Sequence, residues 1–204
     1  MDHSERPGPF RNLAPLVLAS SSPRRQEMLA RLGISFETFP SEVSEAQRPL
    51  ESPENYVCRL ALKKAQKVAS LRPRAFVLAA DTTVVIGEKI LGKPESLQEA
   101  REMLSMLSGR EHQVLTAYAI LGPQGQSRGG LSITSVVFKK LLPEEIEAYL
   151  RTPEPWDKAG AYAIQGLASY MIRRVRGSVS NVVGLPLTEV IEDLLSLGVI
   201  TYRL

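Results

Sequence analysis

The chain has 204 residues, 44% of them hydrophobic and 23% charged, which excludes disordered, collagen-like and fibrous classes and describes an ordinary globular protein. A chain this long buries roughly 70% of the surface it exposes when unfolded, so a sizeable core forms without disulfides or structural metal. With 25 Lys and Arg against 22 Asp and Glu, the net charge of +3 is too small to argue for a nucleic-acid partner.

Residues 1–14 read as a flexible N-terminal extension, because Met1 to Asn12 carries Pro7, Gly8 and Pro9 and no apolar period. Residues 15–204 then form the one domain, with no internal repeat and no linker. Leu13 to Ala19 is short, contains Pro15 and follows a mixed-charge stretch, which makes it a first strand and not a signal peptide. A strand over Leu16 to Ala19, a helix over Pro23 to Leu32 and a strand over Ile34 to Phe39 give a β-α-β opening. Ser52 as N-cap and Pro53 at the first helical position start a long helix that runs to about Ser70. That helix holds the single cysteine, Cys58, which has no partner for an internal disulfide and points to a reducing cytoplasm.

Phe76 to Ile86 is the next strand. Asp81 interrupts it, and it falls well short of the ~20 apolar residues that cross a bilayer, so no membrane partner is expected. A hairpin follows near Gly87. Ser96 and Glu99 have capping-box spacing and open a helix that ends before Gly109. Strands over Gln113 to Leu121 and Ser132 to Phe138 flank a Gly-rich turn, and Pro143 opens a short helix through Leu150. Tyr162 to Ile164 and Ser169 to Val175 read as strands, and a final helix runs from near Pro186 to before Gly198. The pattern is α/β with a mixed sheet and flanking helices.

Three places break the rules of a purely structural sequence. Ser20-Ser21-Ser22-Pro23-Arg24-Arg25 follows a buried-looking strand and opens a helix, so two cations lie in a first turn whose dipole favours anions by roughly 0.3–1 kcal/mol each. Either both arginines point into water, or an anion such as phosphate binds among the free N–H groups, the serine hydroxyls and the guanidinium groups. Lys64 falls on the apolar stripe of the long helix with Val57, Leu60, Ala61, Ala65 and Val68. It either meets an anion or snorkels to water at the edge of the stripe. Asp81 sits inside an apolar strand, where an unpaired carboxylate costs several kcal/mol. A metal, lysine or arginine meets it, or it is protonated, or it satisfies nearby backbone amides.

Two familiar chemistries are absent. Gly87 to Pro94 nearly matches a P-loop, but Pro94 replaces the required hydroxyl and no helix opens there, which leaves Lys93 as a candidate cation. His3 and His112 are the only histidines, and the first lies in the extension, so a Ser-His-Asp or Cys-His mechanism has little support.

The chain resembles the Maf (septum formation inhibitor) family of nucleoside triphosphate pyrophosphatases from about Val17 to Leu195. The segments that carry the resemblance are Leu18 to Arg25, Ala80-Asp81-Thr82-Thr83-Val84, Gly92-Lys93-Pro94, Leu107-Ser108-Gly109, Asp157 to Tyr162 and Asn181 to Pro186. The resemblance implies an α/β fold similar to inosine triphosphate pyrophosphatases, with two lobes around a cleft, often in a homodimer. It implies hydrolysis of a nucleoside triphosphate to the monophosphate and pyrophosphate with a divalent cation, Mg²⁺ or Mn²⁺. Asp-Lys-Ala-Gly-Ala-Tyr followed by Ile164-Gln165-Gly166 looks like the dTTP/UTP branch, with Arg24, Thr82 and Gln165 at its specificity positions. Ala163 departs from the glycine that is commoner there.

On this reading Glu45 and Asp81 hold the metal, with Glu45 preferred over Glu37 and Glu42 by the family pattern alone, and Asp81 orients or deprotonates the attacking water. Arg24, Arg25, Lys64 and Lys93 neutralise phosphate charge, and Ser20 to Ser22 complete the cradle. Two other readings differ in kind. One is a nucleotide-binding regulator without turnover. The other is a nucleic-acid binder using Arg173, Arg174 and Arg176, which more simply form a solvated strand face.

Overall fold

The computed structural model describes residues 8–204, and residues 1–7 of the expected extension lie outside that range. Residues 10–12 correct the rest of that expectation. They form β1 (Phe10–Asn12), which pairs antiparallel with the C-terminal strand Ile200–Tyr202. Phe10 is buried and packs against Tyr202, the two rings tilted by 38° with centroids 5.5 Å apart. A three-residue strand whose partner lies near the other end of the chain has too few residues for a visible period.

The β-α-β opening consists of β2 (Leu16–Leu18), α1 (Pro23–Arg31) and β3 (Glu37–Thr38), with β2 and β3 parallel. β3 is only two residues of the expected Ile34 to Phe39. The long helix α2 (Pro53–Ala69) has the expected cap, Ser52 accepting a hydrogen bond from the Asn55 N–H. It leads into β4 (Phe76–Ile86), a two-residue turn with Gly87 at φ 60°, and β5 (Lys89–Leu91). After α3 (Leu97–Leu107), β6 (Glu111–Leu121) and β7 (Ser127–Phe138) make a long hairpin. β7 begins earlier than Ser132 because Gly129 and Gly130 belong to the strand. A Cβ at Gly129 would lie 2.7 Å from the Tyr118 carbonyl oxygen, so only glycine lets the strands approach there.

Beyond α4 (Pro143–Leu150) the expected strand at Tyr162 to Ile164 is irregular chain between 3-10 turns, because Gly160 and Ala161 both have positive φ, 69° and 60°. The next strand, β8 (Ile172–Arg176), starts later than Ser169 because a 3-10 turn occupies Leu167–Met171. Arg173, Arg174 and Arg176 are exposed on this edge strand, a solvated face. A short helix α5 (Val179–Val183) precedes α6 (Leu187–Ser196) and β9, the strand Ile200–Tyr202.

The main sheet runs β3-β2-β4-β6-β7-β8, with β5 also on β4; β2 is parallel to its neighbours and the rest are antiparallel. Successive residues of β4 face opposite sides. Leu78 and Ala80 join a cluster with α1 and α6, whereas Val84 and Ile86, on the same face, join a second cluster with α3 and α4. These clusters are the cores of two lobes, and β4 and β6 run through both. On the opposite face Val77, Ala79 and Val85 pack under α2. Asp81 and Thr82 stand where β4 passes from one lobe to the other.

Candidate functional site

β2 pairs with β4 over residues 76–78, and β5 pairs with it over residues 84–86. Between them no strand among the described residues lies along that edge of β4. Chain ends and turns converge on this gap and enclose a cleft of about 590 Å³, within the size range of small-molecule sites. Its position beyond the carboxyl end of β2 is the usual ligand position in open α/β sheets.

Asp81 points from β4 towards α2, and Lys64 meets it from the buried stripe of that helix. The Lys64 Nζ donates to Asp81 Oδ1 at 2.6 Å and lies 2.5 Å from Glu45 Oε1. The Asp81 and Lys64 side chains are 9% and 11% exposed, against 54% for Glu45. Burial raises the Asp81 carboxyl above the usual range, and the charges of Lys64 and Arg25 offset that only in part. For Glu45 burial acts upward too, but the Lys64 ammonium together with the charges of Lys93 and Arg25 outweighs it and holds the carboxyl low. Lys64 thus meets the anion its position on the stripe calls for.

The N-terminus of α1 forms another wall. Pro23 occupies the first turn, no acidic residue does, and the Ser22 side chain makes no capping bond, so backbone N–H groups stay available. The Ser22 N–H donates to Ser20 Oγ at 3.1 Å. Arg24 and Arg25 divide the work of this turn. Arg24 crosses the mouth of the cleft to Asp157, Nη1 to Oδ2 at 3.1 Å.

Arg25 is committed to the protein, donating to the Gly184 carbonyl at 2.6 Å, Thr82 Oγ1 at 2.9 Å and Ser20 Oγ at 3.3 Å. Burial lowers its pKa and Asp81 raises it. Thr82 Oγ1 also meets Thr116 Oγ1 at 2.9 Å, and Thr116 donates to the Asn181 carbonyl. One guanidinium therefore ties the serine loop, β4 and the end of α5 together.

Lys93, just after β5, and Gln165 are exposed and line the same cleft. The fold therefore brings all the sequence-selected residues, Ser20, Ser22, Arg24, Arg25, Glu45, Lys64, Asp81, Thr82, Lys93 and Gln165, to one place. Sequence reasoning missed Tyr56, whose hydroxyl donates to the Glu45 carbonyl at 3.0 Å and so helps to place Glu45. It also gave no role to Asp157 or Gly184. A tyrosine one position before the buried Val57 gives no sequence signal that it reaches a loop carbonyl.

A two-lobed α/β protein with a buried carboxylate–lysine pair, a helix N-terminus and the basic side chains Arg24 and Lys93 on one open cleft has the features of a phosphate-binding site. The model of the family described as Maf-like protein matches residues 15–197, and the chain belongs to this family. Among its relatives, the dTTP/UTP pyrophosphatase of Syntrophus aciditrophicus (strain SB) is 47% identical over 188 residues, 92% of each chain. The dTTP/UTP pyrophosphatase of Geobacillus sp. (strain WCH70) is 48% identical over 183 residues, 90% of this chain and 98% of the relative. The Staphylococcus aureus Ham1 protein shares the fold, with a TM-score of 0.50 over 88% of this chain and 98% of that structure at 14% identity.

Proposed function

We propose that this cleft hydrolyses nucleoside triphosphates to the monophosphate and pyrophosphate, with dTTP and UTP as substrates. The observation that carries the reading is the buried Asp81 carboxylate, opening into a cleft walled by a helix N-terminus and held by Lys64 2.6 Å away. The names of relatives at 47–48% identity, dTTP/UTP pyrophosphatase, supply the reaction and substrates.

The triphosphate would lie against the free N–H groups of α1 and the hydroxyls of Ser20 and Ser22, with Arg24, Lys64 and Lys93 near its charge. Arg24 would exchange Asp157 for phosphate as the nucleotide enters. Water attacks the α-phosphorus, its proton passes to Asp81, and the bond to the bridging oxygen breaks with pyrophosphate leaving. Burial raises the basicity of Asp81, which suits it to take that proton. Arg25 acts as a brace, fixing Ser20 and Thr82 relative to Asp81.

The donor set fits a divalent cation. Among the described residues no group of three or more His, Cys, Asp or Glu could hold a metal ion. Two carboxylates do converge, since Glu45 and Asp81 both reach the Lys64 ammonium. Mg²⁺ and Mn²⁺ suit such a site, because one or two carboxylates with substrate phosphates and water complete their oxygen shell. Bound there, the cation would neutralise phosphate charge.

Gln165, on the far wall, would read the base. Its amide offers a donor and an acceptor to the ring N–H and carbonyl of a uracil-type edge. A cytosine-type edge lacks that ring donor and leaves one group of the Gln165 amide, exposed in the empty cleft but covered once a base lies on it, unsatisfied, at roughly 1–3 kcal/mol, or ~5- to 150-fold in specificity. A panel of nucleoside triphosphates with Mg²⁺ and Mn²⁺, scored for pyrophosphate, tests this. The expected ranking is dTTP and UTP well above dCTP and CTP, with purines poor. Preference for a purine triphosphate would overturn the branch, and nucleotide binding without pyrophosphate would favour a regulator instead.

A homodimer is the assembly that family resemblance supports, and sedimentation checks it. The free Cys58 suits a cytoplasmic setting, and no helix among the described residues is long and apolar enough to cross a membrane.

A further inference from the structure

Glu154 opens the 3-10 turn Glu154–Asp157, outside the cleft and behind its far wall. Its carboxylate accepts hydrogen bonds from the Leu167 N–H at 2.7 Å, the Ala168 N–H at 3.0 Å and the Tyr149 hydroxyl at 2.9 Å. Its carbonyl accepts from Lys158 Nζ at 2.8 Å. These bonds join residue 154 to residues 167–168 and close the intervening chain into a loop. The loop presents Lys158, Tyr162, Ala163, Ile164 and Gln165 to the cleft. Burial pushes the Glu154 carboxyl up, but the Ala168 and Leu167 amides and the Tyr149 hydroxyl outweigh it and keep it low, so the clamp is ionised at neutral pH.

Gly166 ties this clamp to the base-reading residue beside it. Its backbone, at φ −110° and ψ −154°, is extended and lies outside the left-handed region that favours glycine. A Cβ there, however, would lie 2.0 Å from Glu154 Oε2 and 2.4 Å from its Cδ. It is the seated position of the carboxylate, and not a left-handed backbone, that calls for glycine here, since a side chain would push the carboxylate out of its seat. The bare Cα lets Glu154 reach the two amides that follow, and Gln165 is the residue immediately before.

We propose that Glu154 is the positioning residue of the base-reading loop, its carboxylate seated against Gly166 and setting where Gln165 meets the nucleobase. This rests on the reading of Gln165 given above. The carboxylate does not touch the substrate. It acts through the loop, so its loss falls on the substrate that Gln165 fits best.

A four-way cycle of wild type, Glu154→Ala, Gly166→Ala and the double variant, with dTTP and dCTP kinetics and melting temperature on each, tests it. Either single substitution lowers kcat/KM for dTTP roughly 10- to 100-fold, mainly through KM, and dCTP by less than about threefold, because loop placement governs only the fitted substrate. Glu154→Gln, which keeps the shape and one acceptor, recovers part of the discrimination. The double variant is no worse than Glu154→Ala, since the added methyl then enters space the carboxylate has left. Equal losses for both nucleotides that track a lowered melting temperature would overturn the proposal, as would additive effects in the double variant. A wild-type enzyme that does not distinguish dTTP from dCTP would instead sink the reading of Gln165, and the proposal with it.

Discussion

At the scale of single residues, the site is a set of charges that make sense only in relation to one another. Arg25 shows this most clearly, because its planar fork reaches the Gly184 carbonyl, Thr82 and Ser20 from three different segments. A lysine offers one point charge on a flexible stem and cannot span those acceptors. Arg25→Lys should therefore cost about 1–3 kcal/mol of stability and lower kcat/KM for dTTP; unchanged denaturation and kinetics would show that the bridge is dispensable.

Lys64 and Asp81 were legible because each breaks a local rule, a lysine on an apolar stripe and a carboxylate in an apolar strand, and burial forces such residues to find each other. Arg24 and Arg25 were legible as an anomaly but not as a division of labour. Nothing in two adjacent arginines says that one turns inward to brace the cleft while its neighbour pairs with Asp157 across it.

At the scale of elements, the longer helices were readable from their caps and stripes, whereas the five-residue α5 (Val179–Val183) is too short to show a stripe and was not expected. α2 has Ser52, Pro53 and a buried face interrupted only by Lys64, and each of these is local information. The region between α4 and β8 was not, because its course is set by positive φ at Gly160 and Ala161 and by the distant bonds of Glu154. Apolar residues over Tyr162 to Ile164 look like a strand until those contacts bend them round the cleft.

The end of α5 also depends on one backbone conformation. Gly184 has φ 125°, while a Cβ there would meet nothing nearer than the Arg25 Nε at 3.4 Å. Gly184→Ala is thus limited by backbone strain and should cost about 1–3 kcal/mol, moving the carbonyl that Arg25 holds. Urea denaturation measures this, and a neutral substitution would mean that the loop relaxes freely.

At the scale of the whole molecule, two lobes share β4 and β6, and the junction holds the Asp81–Lys64 pair to which the proposed chemistry is assigned. His112 shows how the second lobe depends on pH. It is buried, its Nε2 lies 2.8 Å from the Tyr162 hydroxyl, and Nδ1 has no hydrogen-bond partner among the described residues. Burial lowers its pKa from 6.5 to about 4. The unfolded chain therefore binds a proton that the folded one refuses, and stability rises with pH across this window. The contribution is fully present above pH 6.5 and lost as pH falls towards 4, amounting to about 3 kcal/mol. Melting curves between pH 7 and 4 should fall more steeply for wild type than for His112→Gln; parallel curves would contradict this.

The central claim is that the Asp81 carboxylate at the junction of the lobes performs the hydrolysis, and Asp81→Asn tests it most directly, since asparagine keeps the shape but cannot take a proton. With pyrophosphate release and nucleotide binding measured on the same preparation, turnover of dTTP should fall ~10²- to 10⁴-fold while binding remains measurable. Near-wild-type turnover in this variant would contradict the assignment.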